Sequence, residues 1–310
     1  MLEVLEPGLL TTVQDAGRPA AVHLGVPGGG ACDTWGLAVA NAVLGNADAA
    51  AALEMTLAGA AFRALADCAV AVAGAEMDGR LVDTGAALPT GSAALLRAGQ
   101  ELRFSAATPG NGVRTYLALA GGIDVPAVLG SASTCLVGGF GGLDGRALRA
   151  GDVLRGREPA RLLVGRWSGP AVLLGRELRV VRGPHLDRLP AGTFDALTAT
   201  DFRVSGHGNR QGIRLDGPAL AIGERAPMLS EGVVWGAIQL PRDGQPFVLL
   251  ADHQTVGGYP VVAVVITADR PLLGQLGPGD ALRLVEVSQE AARRALAERR
   301  QARAATMVVR

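Results

Sequence analysis

Lysine is missing from this 310-residue chain, whose 29 basic residues are all arginine. That absence excludes a Walker-type phosphate-binding lysine, a Schiff-base lysine and a lysine that carries biotin or lipoate, so nucleotide or biotin chemistry would need other groups or another chain. Net charge is missing too. The 29 acidic residues balance the arginines, which leaves no basic excess to neutralise phosphates, and nucleic acid is not an expected partner. Cysteine is scarce: Cys32, Cys68 and Cys135 stand far apart without a CxxC pair, a pattern of reduced thiols and no disulfide framework. No apolar run approaches the roughly 18 residues of a membrane span, and Met1-Leu2-Glu3-Val4 carries no basic leader. The expectation is a soluble, cytoplasmic protein with no membrane partner.

Metal and nucleophile motifs are absent as well. His23, His185, His207 and His253 show neither HxH nor HExxH spacing and have no cysteine beside them, so no metal site is expected. There is no GxSxG elbow, and the glycine run at 138–142 precedes neither a helix nor a lysine. It reads as a tight turn and not as a dinucleotide fingerprint.

What the chain does have is glycine (44) and proline (17), punctuating short apolar stretches such as Ala69-Val70-Ala71-Val72-Ala73. Many short strands with frequent turns favour barrels or sandwiches. One phrase recurs three times: Leu96-Arg97-Ala98-Gly99-Gln100-Glu101-Leu102-Arg103, Leu148 through Gly151-Asp152 to Arg155, and Leu276 through Gly279-Asp280 to Arg283. Each predicts a positive-φ glycine turn leading into a strand, as equivalent corners of duplicated barrels. Two helices stand out, at 35–44 with Asp33 or Thr34 as N-cap and Gly45 as its end, and at 289–304 behind Ser288. The size fits two domains, 1–160 and 176–310, with the Gly, Arg and Pro cluster of 155–175 between them.

Residues 252–260, Asp252-His253-Gln254-Thr255-Val256-Gly257-Gly258-Tyr259-Pro260, form a polar island between two apolar stretches. A plain hairpin needs two to five turn residues, so a longer link with a carboxylate, imidazole, amide, hydroxyl, phenol and glycine pair points to a site. Gln14, Asp15 and Arg18, around Gly17, either position a polar ligand or close an Asp-Gly turn with its own arginine. Asn209 and Arg210, beside Gly208 and Gly212, either form an anion nest or a surface turn.

Taken in order, Val13-Gln14-Asp15-x-Gly17-Arg18, Gly25-Val26-Pro27, Leu53-Glu54-x-Thr56, Tyr116-Leu117-Ala118-Leu119, Asn209-Arg210-x-Gly212-x-Arg214-Leu215, Ser230-Glu231-Gly232 and Asp252-x-Gln254-Thr255-x-Gly257-Gly258-Tyr259-Pro260 resemble the allophanate hydrolase subunit 2 family. That family includes KipA-type proteins, the C subunit of ATP-dependent 5-oxoprolinase and half of the carboxyltransferase domain of urea carboxylase. The resemblance spans residues 2 to about 304. It departs from the family pattern at Gln211, Val256, Val261 and Ala132, where methionine, threonine, a basic residue and arginine are usual.

The resemblance implies a mainly β fold of two cyclophilin-like β-barrel domains with a few peripheral helices. It also implies a hydrolase that opens 5-oxoproline to glutamate with a subunit 1 (KipI-type) partner and a LamB/YcsF-type third subunit. ATP with magnesium would be the cofactor, because an unstrained lactam needs activation and phosphorylating its oxygen makes a better electrophile. Two other readings remain open: a biotin-dependent carboxyltransferase component acting on urea or a similar small amide, with the biotin on another chain, and a KipA-type regulator that antagonises a kinase inhibitor. The residues expected in catalysis are Asp252, Arg210, Gln254 and Tyr259, and those expected to bind ligand are Gln14, Asp15, Arg18, Asn209, Thr255, Gly257 and Gly258. On this reading Asp252→Asn should abolish activity and leave folding nearly unchanged.

Overall fold

The computed structural model describes residues 1–159, 164–224, 228–306 and 308–309. These form two compact units. The first comprises the described residues of Met1–Arg18, Gly29–Leu173 and Thr306–Arg310, and the second those of Pro19–Gly28 and Leu174–Ala305.

The first unit holds two sheets. A six-stranded sheet runs in the order Val153–Leu154, Leu2–Glu6, Ala61–Ala64, Glu101–Arg103, Gly79–Leu81, Ala87–Leu88. A seven-stranded sheet is built around Leu10–Gln14, Ala52–Thr56, Arg114–Leu119, Cys68–Gly74 and Ser92–Leu96, with Arg166–Trp167 and Val308–Val309 at its edge. Strand alternation decides what each face buries. On Cys68–Gly74, Val70 and Val72 enter the main apolar core, whereas Ala69, Ala71 and Ala73 share a second core with Trp35, Leu37, Val39 and Val43. Small alanines on that face let the helix Thr34–Leu44 lie close to the sheet, and large valines fill the other side.

The helix begins and ends where its capping residues place it. Asp33 is the N-cap, its Oδ1 accepting from the backbone N–H groups of Trp35 (2.9 Å) and Gly36 (3.0 Å), and Gly45 closes the other end at φ 74°, as an αL cap does. Under the cap lies a buried polar network. The Tyr116 hydroxyl donates to Glu54 Oε2 at 2.6 Å and accepts from Asp33 N at 2.8 Å, while Cys32 N also donates to Glu54 at 2.9 Å. Burial, with Glu54 and Asp33 nearby, pushes the phenol's pKa well above its ordinary value.

The second unit is a closed barrel: Glu177–Arg182, Val261–Val265, Ala237–Gln239, Phe247–Leu249, Gly212–Asp216, Asp201–Gly208, Ala281–Glu286, and back to the first strand through a parallel pairing of Leu178 with Leu284. Leu178, Val180, Phe202, Ile213, Ile238, Val248 and Leu284 fill it. The chain is mainly β, as its turn-rich sequence leads one to expect, with strand closure in one unit and two separate sheets in the other. The helix Gln289–Ala305 follows the last barrel strand and starts behind Ser288, whose Oγ accepts from Ala291 N at 3.1 Å.

The three repeated phrases adopt one geometry. Gly99, Gly151 and Gly279 have φ of 89°, 87° and 85°. Their N–H groups donate to the carbonyls of Ala64, Val4 and Val204, and the N–H groups of those same residues donate back to the carbonyls of Gln100, Asp152 and Asp280. Each corner is locked by a side chain: Gln100 Oε1, Asp152 Oδ2 and Asp280 Oδ2 accept from Arg97 N (2.8 Å), Arg149 N (2.7 Å) and Gly277 N (2.8 Å). The αL glycine turns the chain, and the side-chain acceptor that follows it satisfies a donor that the turn would otherwise strand.

Candidate functional site

The polar residues singled out by sequence fall into one group in each unit. In the first, Asp15 follows the strand Leu10–Gln14 and its carboxylate organises a second segment of chain. It accepts from Gly17 N (2.7 Å), Ser131 Oγ (2.6 Å), Ser133 Oγ (2.5 Å) and Ala132 N (2.7 Å). Among the described residues it makes no ion pair with Arg18, so the Asp-Gly turn is not closed by its own arginine. Arg18 is buried, stacks 5.0 Å over the Phe140 ring and donates to the carbonyls of Val128 (3.2 Å) and Ser133. Gln14 donates to Thr12 Oγ1 at 3.0 Å and to the Thr134 carbonyl at 3.3 Å. The glycine run around Phe140 forms the predicted tight turn, with Cys135 bridged to Phe140 and Gly139, Gly141 and Gly142 at positive φ.

In the second unit the loop 252–260 leaves one barrel strand and enters the next. Its first residue is clamped. Arg210 Nε and Nη2 hold Asp252 Oδ2 and Oδ1 at 2.8 and 3.1 Å, the Asp252 N–H donates to the Arg210 carbonyl at 2.9 Å, and both side chains are 4% exposed. A bidentate pair of this kind fixes orientation as well as charge. Because the carboxylate is buried and paired, the expectation that Asp252→Asn leaves folding nearly unchanged does not hold: the change takes a neutralising carboxylate from a buried cation.

Beyond the clamp the loop pairs with another segment. Val256–Gly257 forms a two-stranded sheet with Glu231–Gly232, and Thr255 accepts through its carbonyl from Val233 N at 3.1 Å. Gln254 Nε2 donates to Gln239 Oε1 at 3.1 Å, and the Gln239 Nε2 beneath it is buried without a hydrogen-bond acceptor among the described residues. Any side chain at Gly257 would collide with that Gln239 amide, which is the physical reason for glycine there. Tyr259 is 48% exposed. Asn209 is exposed and its Oδ1 closes its own turn by accepting from Gln211 N at 2.7 Å.

Three further groups stand around this loop, and two of them, His185 and Gln239, were not legible in the sequence. His185 accepts from Val261 N through Nδ1 at 2.9 Å and meets Glu231 through Nε2 at 2.5 Å. Gln239 sits under the loop, as above. His253 places Nδ1 2.6 Å from the Gln254 carbonyl, and burial pushes its pKa below 6.5, an effect to which nearby Arg270 adds, against the raising influence of that carbonyl and of Asp252. Sequence spacing gives no signal for His185 and Gln239, because their partners arrive from other strands.

The resulting loop carries an amide, a phenol and a glycine pair on a base held by a buried ion pair. Such an array can bind and orient a small polar ligand and can stabilise charge on an oxygen, since preorganised donors do so without reorganising. Among the described residues no group of three or more His, Cys, Asp or Glu side chains is gathered as a metal site, and no helix is long and apolar enough to cross a membrane.

Comparison with known proteins agrees with the architecture. Residues 24–286 match the family described as carboxyltransferase domain, subdomain A and B. The chain is 39% identical over 295 residues to the 5-oxoprolinase C subunit of Escherichia coli (strain K12), covering 95% of this chain and 94% of that protein. It is 32% identical to the 5-oxoprolinase C subunit of Haemophilus influenzae, covering 94% of each. The crystal structure of Kluyveromyces lactis urea carboxylase superposes with a TM-score of 0.86 at 30% identity, over 97% of this chain and 28% of that one. The chain belongs to the carboxyltransferase-domain family, subdomains A and B.

Proposed function

We propose that the chain is the C subunit of a 5-oxoprolinase, which opens 5-oxoproline to glutamate together with a KipI-type subunit 1 and a LamB/YcsF-type third protein. The observation that carries this reading is the 39% identity to the Escherichia coli 5-oxoprolinase C subunit across nearly the full length of both chains. The site in the second unit supports it. Gln254, Tyr259 and the Gly258 N–H hold and orient the lactam and stabilise charge on its oxygen, while Gly257, paired with Glu231, fixes the loop beside them. Arg210 and Asp252 act on the ligand through the loop they clamp.

ATP with magnesium is the expected cofactor, bound in the assembled complex. This chain has no lysine to hold the phosphates, so arginines or a partner chain would have to do so. Partner contact has a ready surface. Leu229, Val234, Val256 and Tyr259, all on or beside the paired strands 231–232 and 256–257, are 48–91% exposed, a concentration of apolar side chains that a partner protein would cover.

The test is co-expression of the three proteins, followed by ATP-dependent release of glutamate from 5-oxoproline. Turnover should require this chain and should fall by about 10²-fold in Gln254→Ala, as when a preorganised donor is lost. Full turnover from the other two proteins without this chain would overturn the proposal.

A further inference from the structure

The second unit contains an arginine whose charge meets no acid among the described residues. Arg270 stands next to the short turn Thr267–Asp269 and lines a cavity of about 280 Å³ between the barrel wall and the helix Gln289–Ala305. Val181, Val265 and Ile266 line the cavity from the barrel side and Ala292 and Leu296 from the helix, whose Gln289 and Arg293 also reach the lining. Its guanidinium lies 5.2 Å from the Trp235 ring centre and donates to the Trp235 carbonyl at 3.0 Å. Its Nε–H is buried and has no acceptor among the described residues, and none of their carboxylates forms an ion pair with it.

The nearest candidate in sequence is already taken. Asp269 accepts from Arg179 N (2.9 Å), Nε (2.9 Å) and Nη2 (2.6 Å), with Arg299 a further 3.8 Å away. On the helix, Glu290 pairs with Arg294 at 2.5 Å. Burial therefore acts on Arg270 with no anion among the described residues to offset it and pushes its pKa below its ordinary value. A buried charge of this kind is costly unless something pairs with it.

We propose that this cavity binds a small monocarboxylate with a short aliphatic body, its carboxylate paired with Arg270 and its hydrocarbon against Val265, Ile266, Ala292 and Leu296. A neutral apolar ligand would leave the guanidinium unmet, and the aliphatic side chains of Val181, Val265, Ile266, Ala292 and Leu296 would find no counterpart on an inorganic anion. The volume sits at the low end of small-molecule pockets, roughly 300–1,000 Å³, so the body is short. A planar guanidinium is matched to a carboxylate by its two parallel donors.

The site goes beyond the 5-oxoprolinase reading, and its test uses neither partner proteins nor turnover. The full chain is titrated calorimetrically with hexanoate, with 1-hexanol and acetate as the apolar and the charged halves of the probe. Hexanoate should bind saturably at one site, and each half should bind at least about tenfold more weakly. Arg270→Gln should weaken hexanoate by about tenfold or more. Ala292→Phe, which keeps the charge and fills the cavity, should abolish binding and decides the matter even if Arg270→Gln does not fold. Hexanol binding as tightly as hexanoate, hexanoate binding unchanged in Ala292→Phe, or no saturable binding in the millimolar range would each overturn the proposal.

Discussion

Asp15 and Asp252 look alike in sequence, each an acidic residue that follows a strand and opens a loop, yet they are satisfied in different ways. Asp15 takes four neutral donors, two backbone N–H groups and two serine hydroxyls. Asp252 takes one cation, through both nitrogens that Arg210 can turn toward it. Neutral donors share out a carboxylate's charge among several weak bonds and hold a stretch of chain in place. A single guanidinium neutralises it and leaves each partner dependent on the other. The first arrangement degrades gradually when altered, and the second fails as a unit.

The largest effect should therefore come from separating the ion pair. Asp252→Asn is expected to destabilise the protein by about 3–5 kcal/mol, measured by urea unfolding, because the buried Arg210 loses the carboxylate that neutralises it. Replacing both residues by apolar ones of similar volume should recover much of that loss. If Asp252→Asn unfolds with the wild-type midpoint, the pair is not the clamp described above.

Asp15→Asn should cost less, about 2 kcal/mol, because one amide oxygen still accepts while the amide NH2 confronts a donor such as Ala132 N–H. A loss equal to that of Asp252→Asn would erase the contrast. Smaller still, alanine at Gly99, Gly151 or Gly279 should cost about 1 kcal/mol at each position. An added Cβ meets nothing within 4 Å at any of the three, so the cost is backbone conformation alone. Unequal costs would show that the corners are alike in shape and unlike in energy.

The last expectation concerns pH. His253 is buried with its pKa depressed below 6.5, so between the folded value and 6.5 the unfolded chain binds more protons. Its contribution is complete above pH 6.5 and is lost as pH falls toward the folded value. A stability profile from about pH 8 to 5 should thus bend less in His253→Asn than in the parent chain.

Local features were legible in the sequence, and distant pairings were not. The helix Thr34–Leu44 could be read from Asp33 and Gly45, because capping is decided within a turn of chain. The corners could be read from Gly99, Gly151 and Gly279, because a positive φ and its acceptor lie within four residues. The loop 252–260 could be read as a polar interruption of apolar strands. What could not be read is which group each polar side chain meets. Asp252 and Arg210 are 42 residues apart, and Asp15 and Ser133 are 118; their contact is made by strand order and register, to which no local pattern points. The same limit hid the burial of Asp252 and the unmet charge of Arg270.

The corners carry a consequence for dynamics. Turn amides on a protein surface usually exchange their hydrogens with solvent quickly, because nothing internal holds them. The Gly99, Gly151 and Gly279 N–H groups sit at turns and yet bond to strand carbonyls, so each is released only when a turn and a strand come apart together. In deuterated water these three glycines should be among the slow turn amides of the chain. Their individual rates would then report, corner by corner, how readily each sheet opens.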